Sequence, residues 1–592
     1  MNDQSQPNQE RLQELINRLV TQIDIERIYL RRISMAEKPT EQLIILIPKS
    51  GKKSPSEVQP LINILFEQEH YYTYKLYPAS KVKDCIHQGS LRFYTICTAE
   101  ALLYRKRNSD FKLFPDKIDQ PRLLEKAAKD YQKEIGKIST FSQGAQFYLD
   151  NKQLDFAAFM LQQATELSYR TIELWEIGVD KITHSIAGHQ QYIAPYMPAL
   201  GELFDQAAKE DVIALSLLDD AYLDVRYKTN YHISLENLYR CQQKAMELIK
   251  WVTIIYHRME NAFKETYPLS GYFSEKNTQA YNSVIDIDEN LAVHDKTLIT
   301  QPAGSKQPIE KVENEGDGLL AKIIKELTVY VAIDSIYCFG HRHEVNFRYS
   351  ALIEDAKADY HHYDLLLITN EDITEVAAQE GQINAMNLPY AVTLIAHSPS
   401  SIEKALAEDN RFFHHVLQNG ELVYGKALVS REINQHQAEY KSFKMKSEVS
   451  WFRRNFRASG FLTSANAALD EGYEEVPVSL FNQCLEQVCL GMIEVFLGYK
   501  PNRHKLNHLF NLCNNFSTLT TEIFPRRTEE EKKFFKLLDQ SVNDVRFLMS
   551  WSVNPADIDL LGRKCKTFLE KAEKLVEEYL ETEAETSLQD AS

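Results

Sequence analysis

Arg226 and His232 lie five residues apart in a segment reading Ala-Tyr-Leu-Asp-Val-Arg-Tyr-Lys-Thr-Asn-Tyr-His. An arginine holds a phosphate and stabilises developing charge, and a histidine moves a proton near neutral pH. Together they form a phosphate-directed pair. Arg546 stands in a related segment, Ser-Val-Asn-Asp-Val-Arg-Phe, with Ser552 where His232 would fall. Two readings are open for these arginines. Either they hold a phosphate, or they pair with a carboxylate, with Asp219 and Asp539 as the nearest candidates.

A second group is His341, His343, His361, His362, Asp364 and His397. If His341 and His343 follow a strand that ends at Gly340, and His397 ends a later one, these residues meet in one pocket. Imidazoles with a carboxylate suit Zn²⁺ or a similar ion. Solvated loop histidines are the plain alternative, and no metal is assigned. A third stretch, Trp451, Phe452, Arg453, Arg454, Phe456 and Arg457, interleaves aromatics with arginines as single-strand binders do. Helical spacing offers another account: Trp451 and Phe452 face a core and the three arginines face water. His184 and His504 read as packing or capping residues at a turn between helices.

These residues need a scaffold, and composition limits its kind. The chain has 592 residues and a mass of 68.5 kDa, enough for about three to five domains. Hydrophobic residues are 44% and charged residues 26%, so it can bury cores. Gly (20) and Pro (19) are scarce against an average near 12% together, which favours long helices over a turn-rich β fold. A net charge of −17 and a pI near 5.6 exclude a polycation that coats nucleic acid. The polar start, the short apolar runs and eight scattered cysteines without a CxxC pair predict a cytoplasmic protein with reduced thiols and no membrane partner.

The sequence resembles itself at one offset. Leu217, Leu218, Asp219, Asp224, Val225 and Arg226 match Leu537, Leu538, Asp539, Asp544, Val545 and Arg546, each 320 residues on (546 − 226). Gln163, Glu166, Gly178 and His184 match Gln483, Glu486, Gly498 and His504 at the same spacing. Near the start the offset is 308, as from Leu12 to Leu320 (320 − 12), which fits a longer loop in the second copy. A tandem duplication is therefore expected.

Each copy reads as a small alternating α/β part followed by helices. Copy one predicts a helix at 11–21 and strands at 27–30, 42–47 and 73–77. Copy two predicts a helix at 319–328, strands at 335–339, 363–369 and 390–396, and helices at 378–386 and 400–417. The runs 156–178, 234–256, 478–498 and 557–580 predict long helices of two bundles, and 577–590 an acidic solvated end.

The run FNQCLEQVCLGMIEVFLGYKPNRHKLNHLF at 481–510 resembles the HEPN family of helical bundles. Residues 163–184 and the two Arg segments resemble it more weakly. Such bundles often follow a minimal nucleotidyltransferase-like domain, and both α/β parts look like one. The expected class is α+β multidomain: nucleotidyltransferase-like domains at 1–115 and 318–430, HEPN-like bundles at 120–264 and 432–585, and a linker at 265–317 carrying Pro302, Gly304 and Pro308. The active nucleotidyltransferase pattern is a Gly-Ser loop and paired carboxylates holding Mg²⁺. Copy two has Gly340 but His341 in place of Ser, and Asp364 but Leu366; copy one has Gln42 and Ile44. Both α/β domains are therefore expected to be degenerate, with Gly340, His341, Asp364 and Arg546 kept as ligand-binding candidates and no cofactor. Within the resemblance, Arg226 and His232 fit the Arg-x4–6-His spacing of the family's ribonucleases, where RNA brings its own 2′-hydroxyl nucleophile and the site forms across two bundles. The resemblance implies three alternatives: a non-catalytic regulator that binds nucleotide, RNA or a protein partner; a metal-independent endoribonuclease of a toxin or defence module; or a structural interaction protein. It also implies an internal pseudo-dimer of bundles, or a homodimer.

Overall fold

The computed structural model describes residues 5–33, 40–48, 55–67, 69, 71–228, 231–268, 318–350, 353–371, 373–386, 390–408, 410–428, 440–548 and 551–589. Nearly all of the expected linker lies outside them. The chain is mixed α+β and divides into two compact units. The first comprises residues 1–296 together with 546–551, and the second comprises 297–545 with 552–592.

In the first unit four strands, β1 Arg27–Ile33, β2 Thr40–Ile47, β3 Tyr72–Pro78 and β4 Leu102–Arg105, form one sheet in the order β3-β2-β1-β4. β1 runs antiparallel to β2 and β4, while β2 and β3 are parallel. Alternation sorts the side chains. Ile28, Leu43 and Ile45 point to one face and pack with Leu15, Leu19, Val58 and Ile62 of helices α1 (Ser5–Gln22) and α2 (Pro55–Phe66). Arg27, Tyr29, Arg31, Gln42 and Lys75 fall on the opposite face. Helices α3 (Ala79–His87) and α4 (Leu91–Ile96) precede β4.

The helical part follows with α5 (Gln120–Asp150), α6 (Leu154–Glu176), α7 (Ile186–Ile193), α8 (Pro198–Gly201), α9 (Lys209–Tyr227) and α10 (Leu235–Thr266). α6 is the central helix: α5, α9 and α10 all pack on it. Its residues are therefore buried all round, including Gln162, Gln163, Glu166, Arg170 and Glu173. Buried polar groups need partners, so this helix carries the unit's internal polar network. Gly178, at φ +84°, follows it; a Cβ there would lie 2.6 Å from the Phe93 ring.

The second unit has β5 Ser335–Ser350, β6 Ile353–Ile368, β7 Tyr390–His397 and β8 Glu421–Gly425, ordered β7-β6-β5-β8. Here β6 pairs antiparallel with β5 and parallel with β7. Its helices are α11 (Gly318–Tyr330), α12 (Ile373–Ala385), α13 (Pro399–Ala407), α14 (Arg411–Asn419), α15 (Tyr440–Asp470), α16 (Glu475–Leu497), α17 (Leu506–Cys513), α18 (Leu519–Ile523), α19 (Glu529–Phe547) and α20 (Pro555–Gln589). The last two residues of α19 count with the first unit. Among the described residues α16 alone is long and apolar enough to cross a membrane, and 83% of that window is buried within the protein. All eight cysteines are free.

Three expectations are corrected. β5 does not stop at Gly340; it runs on to Ser350, paired with β6, so His341 and His343 sit in a hairpin arm and not in a loop. The helix expected at 400–417 is two helices, because the Asn410 side chain accepts from Phe413 N and starts a new one. In α15, Trp451 is buried but Phe452 is 71% exposed, and Arg454 is buried: it donates to Gln487 and pairs with Glu494.

Candidate polar site in the first unit

The polar network of α6 centres on Glu166, which is 1% exposed. Gln162 Nε2 donates to its Oε2 at 3.0 Å, and His184 Nδ1 lies 3.2 and 3.3 Å from its two oxygens. Arg546 Nε is 3.9 Å from Oε1. Burial alone would raise the Glu166 carboxyl, but the charge of Arg546 and the bonds from His184 and Gln162 outweigh it and hold it at about 2. The group is therefore an anion at neutral pH.

Arg546 spends its guanidinium in this network. Nη1 donates to the Tyr222 hydroxyl at 2.9 Å and Nη2 to Gln163 Oε1 at 2.5 Å. Nη1 also lies 3.5 Å from His184 Nδ1. The Tyr222 ring is stacked on His184 at 4.1 Å, with the Arg226 guanidinium 4.4 Å and that of Arg546 4.7 Å from its centroid. These are cation–π distances. Burial pushes the Tyr222 phenol up, but Arg546 and Arg226 overcome that and bring it below its usual value. The result is two buried arginines, a buried carboxylate and a phenol, with the side chain of His184 41% exposed.

Arg226 and His232 are not joined. Arg226 is 5% exposed, its Nε donates to Tyr222 O at 3.0 Å, and its guanidinium lies over the Tyr222 and Tyr227 rings. His232 is exposed between α9 and α10. Among the described residues no hydrogen bond or ring contact links the two. The carboxylate reading chose the wrong partner for Arg546: that partner is Glu166, not Asp219 or Asp539. Asp219 sits at the start of α7 instead, accepting from Ser185 Oγ at 2.8 Å and from the amides of Ile186 and Ala187. Asp539 accepts from Asn507 N at 3.1 Å at the start of α17. Both carboxylates neutralise helix N-termini. His184 does more than cap, while His504 Nε2 contacts Pro501 O at 3.0 Å.

In the second unit Asp364 is fully buried on β6, and Arg342 holds it with bonds of 2.7 and 3.3 Å. Burial raises the carboxyl to about 6 despite that arginine. Gly340 pairs with Asp364 across the strands, and a Cβ on it would lie 2.7 Å from Asp364 Oδ2 and 2.3 Å from Asn515 Oδ1. A side chain is excluded there for packing reasons. His341 and His361 lie on the other face of the hairpin, 3.0 Å apart through Nε2 and Nδ1, with parallel rings. His362 faces Asp364 at 3.6 Å and donates to or accepts from Thr393 Oγ1 at 2.7 Å; burial and Arg342 lower it to about 3. His397 contacts the Tyr499 hydroxyl at 3.0 Å. His343 also stacks on His361, at 4.5 Å between centroids, so His341, His343 and His361 gather on one face of the hairpin while His362 and His397 lie elsewhere; among the described residues no three His, Cys, Asp or Glu are placed to hold a metal. The residue that sequence reading missed is Arg342, two positions from Gly340 on the face of Asp364.

The HEPN domain family matches residues 139–255. This span holds α6, α7 and α9, with Glu166, His184, Tyr222 and Arg226, and most of α10. No curated protein matches the chain.

Proposed function

We propose that the chain is a tandem pair of nucleotidyltransferase-like plus HEPN units that binds a nucleotide or RNA and does not cut it. The HEPN match points to nucleotide- or RNA-related work. The shared strand order of the two sheets and the 320-residue offset support the duplication. The observation that carries the non-catalytic reading is the placement of Arg226. Its guanidinium is buried against tyrosine rings while His232 stands in solvent. A metal-independent ribonuclease needs both groups on one phosphate. In the second unit Asp364 is neutralised by Arg342, and the next residue on its face is Leu366, a poor setting for two Mg²⁺ ions. The half-exposed His184 ring, backed by Tyr222 and two arginines, offers a base-stacking edge beside positive charge.

Fluorescence polarisation with labelled single-stranded RNA and with labelled ATP, in EDTA, tests this. Saturable binding of either ligand is expected, weakened about fivefold or more by His184→Ala, at the low end of the stacking range. Absence of binding to both ligands removes the reading.

A further inference from the structure

The seam between the first sheet and the C-terminal end of α6 carries an imbalance of charge. Arg31 on β1 donates to Glu176 O at 3.2 Å and to both Glu176 carboxylate oxygens at 3.0 and 3.1 Å. Arg92 on α4 is 3% exposed, reaches Trp175 O at 3.4 Å and lies 3.8 Å from Glu176 Oε2. Arg258 pairs with the same carboxylate. Lys75 on β3 directs its ammonium to the Tyr192 hydroxyl at 3.2 Å and over the Tyr192 and Tyr196 rings. Among the described residues Lys75 has no carboxylate in ion-pair reach. Glu173 is committed elsewhere: its oxygens take His189 Nδ1 and Lys181 N, each at 2.8 Å. The helix C-terminus contributes about half a negative charge. Arg31, Arg92 and Arg258 therefore share the one Glu176 carboxylate and a fraction of a dipole, and Lys75 has no carboxylate partner among the described residues.

Two polar atoms here are buried and unpartnered. Arg92 Nε has no acceptor, although the side chain is 97% buried. Gln42 Oε1, on the residue paired with Arg31 across β1 and β2, has no donor. Buried donors without acceptors are rare and call for an explanation. The Arg31 side chain is 14% exposed and Lys75 is half-buried, so the cluster has an edge at the surface.

We infer that this seam binds a phosphate-bearing anion without a metal. Its donors would be Arg92 Nε, the Lys75 ammonium and the Arg31 guanidinium. Arginine's planar fork and lysine's mobile ammonium are the usual phosphate partners. A phosphate also accepts and, when singly protonated, donates, which answers the idle Gln42 oxygen. Burial, and after it the charge of Arg92, lowers the Lys75 ammonium.

The test is calorimetric titration of the full chain in EDTA with inorganic phosphate, AMP and adenosine. Phosphate and AMP should bind saturably and adenosine should not. AMP tighter than phosphate identifies a phosphomonoester; equal affinities identify free phosphate. Lys75→Gln, at a half-buried position, should raise the dissociation constant at least tenfold, and Arg92→Lys should do the same by removing the Nε donor. A Lys112→Gln variant, changed at a lysine whose side chain is 75% exposed, should bind phosphate like the parent. No saturable binding of phosphate or AMP, or parental affinity in Lys75→Gln, overturns the inference. Loss in a His184→Ala variant with Lys75→Gln unaffected moves the anion to the His184 cluster and overturns it as well.

Discussion

Replacing Glu166 with glutamine keeps the shape and the bond with Gln162 but leaves Arg546 buried without its counter-charge. The carboxyl falls from its ordinary 4.5 to about 2 in the fold. At about 1.4 kcal/mol per tenfold change, that is about 3 kcal/mol of stability. The range for breaking a buried pair is of the same order, about 3–5 kcal/mol. The sign follows from the direction. A depressed carboxylate stabilises the fold above its unfolded value, and the contribution is lost as pH falls through the folded value. So the gap between parent and Glu166→Gln should be about 3 kcal/mol at pH 7 and less than half of that at pH 3. Urea unfolding of the first unit, followed by peptide-resolved hydrogen exchange across Leu154–Glu176, reads it. A gap below about 1 kcal/mol at pH 7, or one equal at both pH values, would refute the view that Glu166 anchors Arg546.

Asp364 should act in the opposite sense: raised from 3.8 to about 6, it takes up protons in the fold, so the second unit loses up to about 3 kcal/mol as pH rises from 4 through 6. Asp364→Asn should flatten that window in urea titrations. Gly425 has φ +81° and a Cβ there would lie 2.0 Å from Asp334 O, so Gly425→Ala should cost about 2 kcal/mol or more and loosen the β5–β8 pairing, visible as faster amide exchange in β8. Ser185 is the N-cap of α7, and Asp219→Ala, which removes the acceptor for Ser185 Oγ and for the Ile186 and Ala187 amides, should cost about 1–2 kcal/mol in the same unfolding assay.

The long helices were legible because their apolar spacing is sustained. The run 156–178 became Leu154–Glu176, and 478–498 became Glu475–Leu497. Strands 42–47 and 73–77 were legible from their alternating or solid apolar character. β4 and β8 were missed: they are four and five residues long, with no fully buried residue to mark a face. The extension of β5 past Gly340 was missed because the arm opens on the polar run His341, Arg342, His343 and Glu344; the alternation of Val345, Phe347 and Tyr349 with Asn346, Arg348 and Ser350 was the available signal. Arg454 was missed because its partners, Gln487 and Glu494, lie on another helix. The site was half legible. Gln163, Glu166, His184, Arg226 and Arg546 all drew notice, yet nothing local in the chain says that Arg546 pairs with Glu166, 380 residues away (546 − 166). One available signal was the carboxylate itself, Glu166 between Ala164 and Leu167 on a helix with a long apolar face, because a buried charge requires a partner.

The central claim is that the HEPN cluster binds without cutting. Incubating the full chain with single-stranded RNA in EDTA, beside the Arg226→Ala, His232→Ala variant, tests it most directly. The account predicts intact RNA in both reactions, with the parent still retaining RNA or ATP in the polarisation assay. Cleavage by the parent that disappears in the variant would contradict it, and would make Arg226 and His232 the active pair of a ribonuclease.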